Sequence, residues 1–165
     1  MTTEQAKSKA VDPNSVRKVV SVQAPPEVAW RVFTETMGTW WPLGEYKIGR
    51  AKAVDAVIEP RVGGRWYERG DDGSTCDWGH VLVWEPPSRL VLTWEIDADW
   101  QSAPSLKTEV EVRFLADGQN GTRVELEHRH LDRHGEGWQN MRGAVGSPGG
   151  WQGGLQRFAE HLGAR

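Results

Sequence analysis

Between residues 16 and 22 the chain alternates, with Val16, Lys18, Val20 and Val22 set against Arg17, Val19 and Ser21. Successive side chains of a strand point to opposite faces, so this alternation predicts a first strand. The period then changes. In "PPEVAWRVFTETMGTWWP", Val28, Val32 and Phe33, with Trp30 beside them, fall at helical spacing. Pro25 and Pro26 suit the helix entry and Gly38 its exit. A second short helix fits around Trp40 and Trp41 before Pro42 stops it. From Val54 to Leu131 the period is two again. "AVDAVIEP", "GGRWYERG", "CDWGHVLVWE", "RLVLTWEI", "LKTEVEVRFLA" and "TRVELEHRHL" predict six further strands. Turn-forming residues join them: Pro-Arg-Val-Gly-Gly, Asp-Asp-Gly, Glu-Pro-Pro-Ser and Ala-Asp-Gly-Gln-Asn-Gly. Strands joined by short turns make an antiparallel sheet with one wet and one dry face. In "SPGGWQGGLQRFAEHLGAR", Ser147 fits an N-cap and Pro148 the first helical position. Trp151, Leu155, Phe158 and Leu162 then follow at intervals of 4, 3 and 4, the stripe of a helix that must lie on the dry face. The whole reads as an α+β domain over residues 16–163, after a polar tail, 1–15, expected to be disordered.

One hairpin draws attention to itself. Taken at alternate positions, Cys76, Trp78, His80, Leu82 and Trp84 share a face with Leu90, Leu92, Trp94 and Ile96. By the same parity Glu68 shares a face with Trp66, and His128 follows Leu126. Polar groups on a dry face each need a partner, at a cost of about 1–3 kcal/mol where one is missing. An aromatic-lined hollow holding water or the polar end of a ligand would relieve that demand.

Composition sharpens this picture. The chain has 165 residues and ten tryptophans, and each buried indole can remove about 150–250 Å² from water. So many rings suggest a cavity with flat walls. A single cysteine excludes an internal disulfide framework. The net charge of −3, with Lys and Arg dispersed, gives nucleic acid nothing to follow. No apolar run approaches the roughly 18 residues of a membrane span, and the start of the chain lacks a secretory pattern. A cytoplasmic location, no membrane association, and a monomer or homodimer are the expectations. Asn120-Gly121-Thr122 reads as a tight turn.

The order of elements resembles the helix-grip fold of the START-like (SRPBCC) superfamily, in which a curved antiparallel sheet wraps a long C-terminal helix. More specifically, "PRVGGRW", "DDGSTCDWGHVLVWEPPSRLVLTW", "TRVELEHRHL" and "GGWQGGLQRFAEHL", with "APPEVAWRVFTE", resemble bacterial relatives of the activator of the heat-shock protein 90 ATPase. The resemblance implies an internal cavity, but the superfamily serves lipid carriers, receptors and polyketide cyclases alike, so it implies no single reaction. The namesake activator also carries an N-terminal chaperone-binding domain that this chain's short tail does not match.

The expected function is therefore binding of a small apolar or aromatic ligand between sheet and last helix. The alternatives are a polyketide-cyclase-like enzyme using the same cavity and a chaperone-associated protein-binding module. Trp66, Trp78, Trp94, Trp151 and Phe158 are the candidate walls. Glu68, His80 and His128 would orient a polar end, or act as acid and base across neighbouring strands. Gly154, on the inward stripe where glycine costs about 1 kcal/mol relative to alanine, marks a loosely formed N-terminal turn, close helix–sheet packing or an opening, and an opening is the reading adopted. No cofactor or metal is expected. His128 and His130 lack a clear third ligand, with His134 beyond the strand. Cys76 and His80 stand about 13 Å apart along a strand, too far for a thiolate–imidazole couple.

Overall fold

The computed structural model describes residues 13–43 and 48–163. Strand β1 (Val16–Val22) leads into α1 (Pro26–Glu35) and the single turn α2 (Met37–Trp40). Six strands follow: β2 (Ala53–Ile58), β3 (Arg65–Gly70), β4 (Thr75–Glu85), β5 (Arg89–Trp94), β6 (Thr108–Asp117) and β7 (Gly121–Arg129). A 3-10 turn (Leu131–His134), α3 (Trp138–Gly146) and α4 (Trp151–His161) complete the order. The strands form one antiparallel sheet, β1-β7-β6-β5-β4-β3-β2. Each meander neighbour pairs with the next, and β1 closes onto β7 with Val16 opposite His128 and Val22 opposite Thr122. This is the curled half-barrel of a helix-grip fold, with α1, α2 and α4 on its concave side.

The apolar stripe of α4 explains its seat. Trp151, Leu155, Phe158 and Ala159 are buried, while Gln152, Gln156 and Arg157 face outward. Phe158 meets Phe33 of α1 at 5.4 Å between ring centroids and Trp40 of α2 at 5.2 Å. α1 begins as expected, with Pro25 and Pro26 at its entry. It ends at Thr36, whose hydroxyl donates back to the Val32 carbonyl at 2.8 Å, and not at Gly38. Gly38 lies inside α2, where a Cβ would overlap the Asp55 carboxylate and stand 3.1 Å from the Ala56 nitrogen. Its role is close approach to β2.

Three further expectations need correction. α4 starts at Trp151, and Ser147 closes α3, its hydroxyl donating to the Ala144 carbonyl at 2.8 Å. α3 itself buries Met141 and Val145, four residues apart; its glycines at 143 and 146 weaken the helical signal. Of the tail expected over 1–15, residues 1–12 lie outside those described. Residues 14 and 15 are held: Asn14 Nδ2 donates to Asp132 at 2.8 Å, and Ser15 is fully buried.

The third correction changes the hairpin. Trp66 pairs with Gly79 and Tyr67 with Asp77, so Trp78 is an extra residue on β4. Val81 pairs with Leu92 and Val83 with Val91, so Leu82 is a second extra residue. Each bulge shifts the alternation by one. Trp78, Val81 and Trp84 therefore point inward at steps of three, while His80 and Leu82 point outward. Gly79 makes the first bulge feasible, because a Cβ there would overlap the Thr93 carbonyl.

Candidate functional site

Beneath α4 the concave face is filled by rings. Trp66, Trp78 and Phe158 are sealed from solvent. Ring contacts, edge-on or tilted, run from Trp30 through Phe114, Phe33 and Trp40 to Trp41, and from Trp41 through Trp78 and Trp66 to Trp94. Such pairs add about 0.5–1.5 kcal/mol each beyond burial. The space between sheet and helix is thus a packed aromatic interior at its centre. The opening lies instead at the N-terminal end of α4, in a cleft of about 230 Å³. Trp41 and Pro42, just past α2, form one wall. Trp94 at the end of β5 and Trp100 in the following turn form another. Val145 of α3 and the Gly149–Gly150 link form the third, with Trp151 and Gly154 of α4 at the base. A Cβ at Gly154 would meet nothing within 4 Å. The lining is almost wholly carbon; its hydroxyl, from Ser147, is committed to Ala144.

The buried polar groups have a different employment. An indole N–H can only donate, and a buried one needs an acceptor. Trp78 Nε1 donates to Glu68 Oε1 at 2.9 Å. Trp151 Nε1 donates to His128 Nδ1 at 3.1 Å, Trp66 Nε1 to the Met37 sulfur at 3.4 Å, and Trp40 Nε1 to the Val32 carbonyl at 3.2 Å. Because His128 Nδ1 accepts, the ring proton sits on Nε2, 2.8 Å from Thr108 Oγ1, whose own proton goes to the Trp94 carbonyl at 3.2 Å. Burial, with the neighbouring His134 adding to it, pushes the His128 imidazole down to about 3, so it stays neutral. Glu68 also accepts from the amides of Ile48 at 2.6 Å and Gly49 at 3.0 Å, pinning the chain that returns from α2 to β2.

Of the residues singled out from sequence, Trp94, Trp151 and Gly154 come together at the cleft. Trp66, Trp78 and Phe158 lie behind it in the packed rings, and Glu68 and His128 serve the indoles and the chain. His80 is on the opposite face, its side chain 39% exposed, with Nδ1 3.0 Å from Glu95 Oε2. Glu95 is buried there with Thr93 Oγ1 at 2.5 Å and Lys107 Nζ at 3.5 Å. Trp41, Trp100 and the α3 wall were not anticipated. Trp100 stands alone in the polar run "IDADWQSAP", with no periodicity to flag it. His130 turns away from His128 at a φ of 61°, and among the described residues no cluster of His, Cys, Asp and Glu is arranged to hold a metal.

A larger hollow, about 470 Å³, lies on the outer face of β1, β6 and β7. Most of its charges are paired, Arg17 with Glu127, Arg113 with Glu111 and Arg123 with Glu125. Burial opposes ionisation of Glu111, but hydrogen bonds from Arg89, Arg113 and Arg129 overcome it and hold the carboxyl at about 2. Walls whose charges are mostly paired in this way offer a ligand little.

The family model of the activator of Hsp90 ATPase homolog 1-like protein matches residues 23–163. The chain belongs to this family. Among solved structures, it is similar to an anthrahydroquino-gamma-pyrone synthase, Txn09, at 43% identity over 88% of this chain and 95% of that one, with a TM-score of 0.62. It is also similar to CalC, a self-sacrificing resistance protein from Micromonospora echinospora, at 33% identity over 90% and 93% of the two chains and a TM-score of 0.63. An Hsp90 activator from Plasmodium falciparum shares the fold, at 17% identity over 92% and 97% and a TM-score of 0.58. No curated protein matches the sequence. Among the described residues, no helix of this Hsp90-activator-like chain is long and apolar enough to cross a membrane.

Proposed function

We propose that this protein binds a flat, fused-ring aromatic molecule in the cleft at the N-terminal end of α4. The observation that carries the reading is the lining: the indoles of Trp41, Trp94, Trp100 and Trp151 face one apolar cleft with a bare glycine, Gly154, at its base. Aromatic faces reward a planar π-system more than a flexible chain of equal area. The volume is below the roughly 300–1,000 Å³ usual for small-molecule sites, so the cleft grips the edge of a ring system whose remainder lies in the mouth. Trp94, Trp151 and Gly154 are the proposed contacts from the sequence set, with Trp66, Trp78, Phe158 and His128 as their backing. Titration with a dihydroxyanthraquinone, followed by tryptophan fluorescence, is expected to give saturable quenching. A saturated fatty acid of similar mass should give none. If no planar polycycle in a broad panel saturates the signal, the reading fails.

A second reading is favoured by the 43% identity with the anthrahydroquino-gamma-pyrone synthase: the bound molecule undergoes ring closure in the cleft. A site lined by carbon would contribute by folding a flexible side arm against the ring and excluding water, which is worth several powers of ten in favourable cases. Incubation with an anthrahydroquinone bearing an open side arm, followed by chromatography, separates turnover from binding alone. The chaperone-associated reading draws on the family's description and on a neighbour related in fold only. Cleft-blocking variants that still retain a chaperone in pull-down would favour it.

A further inference from the structure

Trp100 stands in a turn that does not need it. The turn runs from Asp97 to Gln101 between the bridged residues Ile96 and Ser102. The Asp97 amide donates to the Gln101 carbonyl at 2.9 Å, and the Asp97 carbonyl accepts from the Trp100 amide at 3.0 Å. The Asp97 side chain closes the remainder, its Oδ1 accepting from the amides of Asp99 at 2.9 Å and Gln101 at 3.0 Å. Every one of these bonds is made by backbone or by Asp97. The indole makes none of them.

The conformation argues further against a turn-forming role. Trp100 has a φ of 59°, in the left-handed region. Glycine and asparagine occupy that region readily, whereas a bulky side chain there is an outlier. Strained positions of this kind persist where the side chain has another use. Burial does not supply one: Trp100 remains 40% exposed, and its ring meets Trp94 edge-on at 6.5 Å between centroids. What the left-handed backbone achieves is direction. It aims the Cα–Cβ bond so that the indole, with those of Trp41, Trp94 and Trp151, lines the cleft.

We propose that Trp100 is a specificity-determining residue, the outer jaw against which a planar ligand stacks, kept at a position where the turn itself would favour glycine or asparagine. The proposal rests on the reading of the cleft as an aromatic-ligand site. It makes that reading selective: the jaw is set by backbone geometry, so the slot accepts thin, flat molecules and gains little from aliphatic ones.

The test uses three proteins and a dihydroxyanthraquinone, with binding read by isothermal titration calorimetry so that the lost tryptophan does not bias the signal. Trp100→Asn keeps a residue suited to the left-handed region and removes the ring; its affinity should fall about tenfold or more, while its Tm stays within about 4 °C of the wild type. Trp100→Phe keeps a ring and should hold most of the affinity. Asparagine binding within about twofold of the wild type, or a Tm loss well beyond that range, overturns the proposal and leaves the cleft reading standing. A wild type that does not bind overturns both.

Discussion

His128 offers a quantitative test of how the aromatic interior is held. Its imidazole is sealed, accepts from Trp151, donates to Thr108 and is pushed down to about 3 from an ordinary 6.5. In the unfolded chain it titrates near 6.5, so between that pH and about 3 the unfolded state carries a proton that the native state lacks. Stability therefore rises with pH across this window and is lost as pH falls, by about 1.4 kcal/mol per pH unit. Above 6.5 both states are neutral and the residue contributes no slope. From pH 6.5 to 4 the loss is about 3 kcal/mol, a large share of the roughly 5–15 kcal/mol that holds an ordinary domain together. The assay is urea unfolding from about pH 7 to pH 4 on the wild type and on His128→Gln, which cannot titrate. The variant should be less stable at pH 7, because one of its buried neighbours loses a partner, and the gap should close by about 3 kcal/mol on acidification. Glu111, held at about 2, and His134, lowered chiefly by its burial, titrate in both proteins and largely cancel in the difference. Parallel stability curves, or a His128 resonance titrating near 6.5 in the folded protein, would refute the assignment. Ligand affinity should be flat between about pH 5 and 8, since the imidazole behind Trp151 does not change charge there.

Gly154→Ala should raise stability by about 1 kcal/mol, since the added methyl meets open space and the helix gains propensity, shifting Tm upward by about 2–4 °C. Gly154→Leu should keep the fold and reduce ring-ligand affinity by an order of magnitude or more; unchanged affinity in a titration would place the ligand elsewhere. Glu68→Gln replaces one carboxylate oxygen with a donor facing a donor, among Ile48, Gly49 and Trp78, and should cost about 1–3 kcal/mol. Hydrogen exchange should speed up first at the Ile48 and Gly49 amides, and a uniform change across the sheet would contradict the anchoring role. Gly79→Ala forces a methyl into the Thr93 carbonyl and should cost several kcal/mol by chemical denaturation; a loss under about 1 kcal/mol would mean that the bulge adjusts without strain.

The strands were legible because a period of two survives in sequence even when their pairing does not. β6 and β7 show it at its clearest, and all seven strands stand where the alternation puts them. A bulge leaves no comparable trace. The extra residues Trp78 and Leu82 each reset the alternation, so His80 reads inward from one end of β4 and points outward in the fold. Gly79 is the sole hint, and a glycine in a strand has several meanings. α3 escaped because Met141 and Val145 are too few to establish a helical period among glycines. Trp100 escaped because its position depends on one backbone angle.

The bonds made by the polar groups show a demand that the sequence does not distinguish from that of a ligand. A carboxylate and an imidazole among indoles look, in sequence, like the orienting groups of a ligand site, because an indole N–H and a ligand donor make the same demand on an acceptor. Ten tryptophans bring ten such donors, and an interior built from rings must find acceptors for those it buries. Glu68, His128 and Met37 meet that demand for Trp78, Trp151 and Trp66. Polar residues in an aromatic core are therefore weak markers of a binding site until the indole donors have been matched. Trp94 is the one indole whose nitrogen is buried without a partner among the described residues, and it is also a wall of the cleft. That coincidence of an unmet donor, a bare glycine and a left-handed tryptophan around one opening sets the cleft apart from the matched interior behind it.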